Sequence, residues 1–249
     1  MNFKNYSIYI LLIFSFCLPF SQKLSTILII VWFVFSIFSI KQIKIQKGVF
    51  VMFTIYFLYL FFDIINGFNG LEVLEKKATF LIIPLIFCLN RYSNTDLKKA
   101  FTFFVYGCLV SIVLCNILGV YNSINYSEGV FAFNPIVLDK INQNFLESSI
   151  YEGNYFFGNY YSIFHQSVYF ATYINIALVI VLYGKLFKLR ENYLIILVFA
   201  LTLFQISNRA NIIVFALILL FYLVLHKNLK NKKVYLVATM ILLVGLGLL

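Results

Sequence analysis

HQSVYFATYINIALVIVLYG (His165–Gly184) and, after a short basic link, YLIILVFALTLFQISNRANIIVFALILLFYLVL (Tyr193–Leu225) decide the fold. The first and each half of the second are apolar runs approaching the roughly 20 helical residues that cross the hydrocarbon of a bilayer. The second run is broken once, at Ser207-Asn208-Arg209. Ahead of both lies a long polar stretch, Gly119 to Phe164.

The whole chain has the same character. Its 249 residues are 63% hydrophobic and 11% charged, and the mean hydropathy is +0.95. That composition excludes a water-soluble domain and indicates an integral membrane protein. Backbone groups cannot go unpaired in lipid, and the runs lack the period-two alternation of barrel strands, so the spans are helices. The expected fold is all-α, a polytopic helical bundle forming one transmembrane domain over residues 1–249. Its nine expected spans are Tyr6–Phe20, Leu24–Ile40, Gly48–Ile65, Ala78–Leu89, Phe101–Leu118, His165–Gly184, Tyr193–Ile206, Asn211–Leu225 and Val234–Leu249. The start of the chain, Lys4 followed by Ile8 to Phe20, resembles a signal peptide. No small-residue cleavage site follows it, so it reads as a retained first span.

The net charge of +10 comes from short clusters of Lys and Arg at span ends, a topology signal that points away from nucleic acid as a partner. With the N-terminus in the cytoplasm, 14 of the 19 Lys and Arg residues fall in inner segments. The outer exceptions are Lys23, Lys76, Lys77, Lys140 and Arg209. The polar stretch 119–164 therefore lies outside. It is acidic and rich in Asn and Tyr, residues that suit sugars because aromatic faces stack on C–H surfaces and amides bond hydroxyls. A wet interfacial loop explains the same composition. The cysteines (Cys17, Cys88, Cys108, Cys115) fall within apolar spans without CxxC spacing and read as packing residues.

Arg209 is the sharpest single residue. It stands between two apolar spans, at the face where the charge pattern disfavours Arg, and its guanidinium fork suits a pyrophosphate. Asn211 and the N–H groups of the helix beginning there add to the attraction for an anion. His165 is expected to open its helix, with Tyr169 and Thr172 on the same face and Tyr173 beside them; it can bond a phosphate or act as a base. Lys76 and Lys77, before the fourth span, are further phosphate contacts, or are neutralised by Glu72 and Glu75. Plainer readings make Arg209 a snorkelling turn residue and His165 an interfacial one. No acidic residue lies deep within a span, which counts against an ion-coupled carrier. No nucleotide-binding or zinc motif is present.

Three segments, LEKKATFLIIPLIF (Leu74–Phe87), FHQSVYFATYINIAL (Phe164–Leu178) and LTLFQISNRANIIVFALILL (Leu201–Leu220), resemble the O-antigen ligase and O-antigen polymerase superfamily of the bacterial inner membrane. The resemblance implies a metal-independent, cofactor-free glycosyltransferase. Such an enzyme takes a glycan from undecaprenyl diphosphate at the periplasmic face and joins it to an acceptor sugar, either lipid A core or another glycan. By the resemblance Arg209 holds the diphosphate leaving group, His165 is the histidine heading the span after the loop, and Lys77 is the basic residue before the proline-containing span. Members of the family carry a second large outer loop with a catalytic histidine, and none follows here; the expectation is an N-terminal fragment, the alternative a reduced relative of the family. A lipid-glycan flippase and a non-catalytic membrane scaffold are the competing readings. A flippase requires cations deep within several spans, whereas a scaffold needs neither Arg209 nor His165. The charge pattern makes a topology prediction: alkaline phosphatase fused after Tyr151 is active and the same reporter fused after Lys188 is inactive, and the reverse result would invert the bundle.

Overall fold

In the computed structural model of the protein, residues 3–38, 47–65, 78–90, 92–127, 130–137, 148 and 153–225 are described. Their elements, in chain order, are α1 (Phe3–Cys17), α2 (Gln22–Phe38), α3 (Lys47–Ile65), α4 (Ala78–Leu89), α5 (Asn94–Ser123), the strands β1 (Ile124–Ser127) and β2 (Val130–Phe133), a 3-10 turn (Gly158–Tyr160), α6 (Ser167–Gly184), α7 (Leu189–Ile206) and α8 (Arg209–Leu225). The described chain is thus mostly helical, and each expected span from the first to the eighth has its helix. The ninth, Val234–Leu249, lies outside the described residues, as do Lys76 and Lys77. Three of these helices, α5, α6 and α7, are long and apolar enough to cross a membrane; the apolar helical segments Tyr6–Cys17, Gln22–Phe38, Val49–Phe62 and Arg209–Tyr222 are shorter. On α3 the residues Phe50, Ile55, Phe57, Phe61 and Phe62 are all exposed. A continuous apolar surface of that kind fits hydrocarbon and not water.

Where the pattern of spans predicts one domain, the packing separates two units, Met1–Phe104 and Val105–Leu249. The boundary falls inside α5, where the composition does not change and the sequence carries no mark of it.

The first unit is organised by Trp32, almost wholly buried on α2. Its ring meets Phe14 of α1 at 5.6 Å, Phe87 of α4 at 5.8 Å, and Tyr92 at 6.1 Å between centroids. Buried indole N–H groups require an acceptor, and Trp32 Nε1 donates to both Tyr92 Oη (2.8 Å) and Ser7 Oγ (3.1 Å). Ser7 Oγ and Tyr92 Oη lie 2.7 Å apart, closing a three-membered polar ring that ties α1, α2 and the α4–α5 link together. Ser21 begins α2 by accepting the Leu24 N–H. Ser93 begins α5 by a reciprocal pair: its Oγ accepts the Asp96 N–H while Asp96 Oδ2 accepts the Ser93 N–H. That capping box, a local signal, starts α5 seven residues ahead of the expected span and gives it 30 residues.

In the second unit α6 packs on α7 and α8, and α7 on α8. The α6–α7 link is short: Lys185, left-handed at φ 49°, ends α6, and the Lys188 N–H donates to Glu191 Oε2 at 3.0 Å to begin α7. The polar stretch contains regular structure that its composition does not announce. Helix α5 runs on to Ser123, and β1 and β2 form an antiparallel hairpin pairing Ile124 with Phe133 and Ser127 with Val130.

Burial raises the Tyr92 phenol to about 12 from its ordinary 10.0, its bonds to Ser7 and Trp32 partly offsetting the rise. A phenol whose folded pKa is raised contributes stability that is complete below pH 10 and is lost as the pH climbs towards 12, since the unfolded state ionises first. Tyr92→Phe removes that share of the alkaline loss and lowers stability at neutral pH by about 1 kcal/mol. Thermal unfolding in detergent at pH 7.5 and pH 11 measures both; an unchanged alkaline slope would remove Tyr92 from this role.

Candidate functional site

The break between α7 and α8 builds the centre of the site. Helix α7 ends because Ser207 turns left-handed (φ 54°, ψ 24°), its N–H bonding the Phe204 carbonyl at 3.1 Å. Asn208 then caps α8: its Oδ1 accepts the Asn211 N–H at 3.1 Å, the bond from cap to third helical residue that Asn favours. The same oxygen accepts from Asn211 Nδ2 at 3.1 Å.

Asn211 is buried, and its amide reaches across to α6. Asn175 Nδ2 donates to the Asn211 carbonyl (3.0 Å) and to Asn211 Oδ1 (3.2 Å). Thr172 Oγ1 lies 3.4 Å from Asn211 Oδ1, and Asn211 Nδ2 lies 3.4 Å from the Val168 carbonyl. These contacts run from the first turn of α6 at Val168 to its third at Asn175 and all meet the first turn of α8, so the two helix starts lie together. The sequence reading gave Asn211 to the substrate; in the structure its side chain is spent on helix pairing, and one of the first N–H groups of α8 is spent on the cap.

Arg209 is the first residue of α8 and is exposed. His165 is half-buried and precedes α6. The helix starts at Ser167, after Gln166 in an extended conformation (ψ 139°), and not at His165 as expected. The reason is local: Ser162 Oγ donates to the His165 carbonyl at 2.6 Å, holding that residue in a turn. The helical face drawn through His165 therefore fails. Its ring meets Tyr173 edge-on at 5.3 Å, while Tyr169 points outward and is 57% exposed. Because Val168 touches Asn211, His165 and Arg209 both belong to the end at which α6 and α8 begin. Lys76 and Lys77 cannot be placed against them.

A second group of buried polar side chains lies near the same end and is missing from the sequence reading. Tyr161, fully buried, accepts from Asn116 Nδ2 of α5 at 2.9 Å. Gln205 Nε2 of α7 donates to Asn116 Oδ1 at 3.3 Å. Burial pushes the Tyr161 phenol well above its usual range, with Asn116 and Thr202 bonds opposing, so it stays a neutral hydrogen-bonding group and not a base. The signal was available: Asn116, Asn175 and Gln205 are amides within otherwise apolar spans, and such side chains seek one another across helices. Gly119 admits the loop to α5, since a Cβ there would stand 3.3 Å from the Tyr155 carbonyl and 3.2 Å from the Phe156 ring.

The arrangement presents an exposed guanidinium, a half-buried imidazole held by a turn, and two helix starts at one place. It can hold an anion such as a phosphate. Comparison with protein-family models, with curated proteins and with solved structures gave no match for this chain.

The Asn175–Asn211 pairing predicts a measurable coupling. In a double-mutant cycle of Asn175→Ala and Asn211→Ala, each single variant lowers the unfolding midpoint in detergent, and the pair is less than additive by about 0.6–1.7 kcal/mol. Strict additivity would mean the two amides do not meet.

Proposed function

We propose that the protein is a multi-pass glycosyltransferase of the O-antigen ligase and polymerase type in a bacterial inner membrane, its N-terminus cytoplasmic and the 119–164 loop periplasmic. The donor is a glycan on undecaprenyl diphosphate and the acceptor is a sugar hydroxyl of lipid A core or of another glycan. The observation that carries this reading is the bonding of Asn211 to Val168, Thr172 and Asn175. It draws the starts of α6 and α8 together, and with them His165 and Arg209, at the end of the unit where the loop leaves α5.

In this reading the acceptor hydroxyl attacks the anomeric carbon from the face opposite the diphosphate. The C–O bond to phosphate breaks, the pair of electrons leaves on the lipid diphosphate, and the hydroxyl proton passes to a base, in this reading the His165 imidazole. Arg209 stabilises that growing charge. His165 bonds a phosphate or sugar oxygen, its ring steadied by Tyr173. Tyr169, exposed one turn further along α6, offers a face to a sugar. Asn211 moves from binding to positioning: it holds the first turn of α8, and so Arg209, in place.

Arg209→Ala lowers glycan transfer by about 10²–10³, the loss typical of removing one charge-stabilising donor. Arg209→Lys recovers part of it, because the charge returns without the fork. Transfer from a purified lipid-linked donor in proteoliposomes is the measurement; wild-type rates for Arg209→Ala would end the proposal.

A further inference from the structure

The hairpin that follows α5 carries an exposed apolar face that the site does not use. Phe131 is 76% exposed and Phe133 62%. Two residues apart on β2, they point to the same side of the strand, and Ile124, paired with Phe133 across the hairpin, is also exposed. In water such a cluster is costly, and a two-stranded hairpin is too small to support it.

The surface of α5 indicates what covers this face. Val110, Val113, Ile117, Val120 and Tyr121 are exposed at helical spacing, while Cys108, Ser111, Ile112 and Cys115 on the opposite side are buried. Helix α5 is long and apolar enough to cross a membrane, so the exposed stripe faces lipid. The stripe runs without interruption through Tyr121 into Ile124 and the hairpin. Depth agrees: at about 1.5 Å per residue the apolar part of α5, Phe101 to Tyr121, covers roughly 30 Å, the thickness of the hydrocarbon. Tyr121 then stands at its edge, and the hairpin begins in the headgroup layer, where aromatic side chains concentrate.

We infer that the hairpin Ile124–Phe133 is an interfacial anchor, with Ile124, Phe131 and Phe133 set into the boundary between headgroups and acyl chains, and lipid as its partner. The loop is thereby held at its hairpin as well as at Gly119, independently of what the site does. The anchoring energy comes from apolar burial.

The test places tryptophan on the face. F131W and F133W, each purified and reconstituted into lipid nanodiscs, are read against the wild type, whose single tryptophan supplies the background to subtract. The added fluorescence is expected to be blue-shifted and protected from aqueous iodide. It is quenched roughly two-fold by phosphatidylcholine brominated near the carbonyls, and less by bromines at the chain ends, as an interfacial position requires. Iodide quenching equal to that of a free indole, without bromine quenching, would show a hairpin in water and overturn the inference. Protection from both quenchers would show that protein covers the face, a second copy or another chain, and would overturn it equally. Two positions are used because Phe133 also meets the Phe156 ring at 6.3 Å, whereas Phe131 is the more exposed.

Discussion

A polar side chain buried between membrane helices has to find a partner inside the protein, and the amide of Asn211 meets that demand on α6. Its carbonyl and Oδ1 both receive Asn175 Nδ2, while its own N–H and Nδ2 return to Asn208. One residue thereby closes the cap that Asn208 sets on α8 and fixes the neighbour against which that helix starts. Apolar packing alone allows a helix to slide or rotate against its neighbour; a bidentate amide contact does not, because either motion breaks bonds between buried groups. The shared end of α6 and α8, and whatever that end binds, depends on this constraint.

The Asn116–Tyr161–Gln205 group applies the same device to the loop. Asn116 of α5 bonds Gln205 of α7 directly and, with its other amide atom, holds a tyrosine that belongs to neither helix. A loop with a fully buried anchor of this kind keeps its place over the helix ends, and side chains near it, His165 among them, inherit that order. Tyr161 cannot serve as a base while it does so, since burial holds its proton in place.

How much of this was legible depended on which physical signal each feature left in the chain. Spans are written in hydropathy, so each expected helix has its counterpart wherever the residues are described. Ends are written in caps. The Ser93–Asp96 pair could have been read and would have moved the start of α5, whereas the Ser162 bond to the His165 carbonyl depends on a turn with no pattern of its own. Arg209 stands out because charge is rare in such a chain. The position of Asn211 beside Arg209 suggests an anion, and only the approach of α6 reveals the amide of Asn175 opposite it. Pairings between distant segments, like that of Trp32 with Ser7 and Tyr92, leave the least trace, since each partner alone is an ordinary residue of an apolar span.

The absence of a side chain at Gly119 has a consequence of its own. The backbone at Tyr155 and the ring of Phe156 lie against α5 where a methyl group would need to be, and this segment leads directly to Tyr161. Enlarging residue 119 by one carbon would require that segment to give by a few tenths of an ångström, on the stretch that leads to the Tyr161–Asn116 bond. The seating of Tyr155 and Phe156 against α5 is thus governed from beneath, by a gap one atom wide.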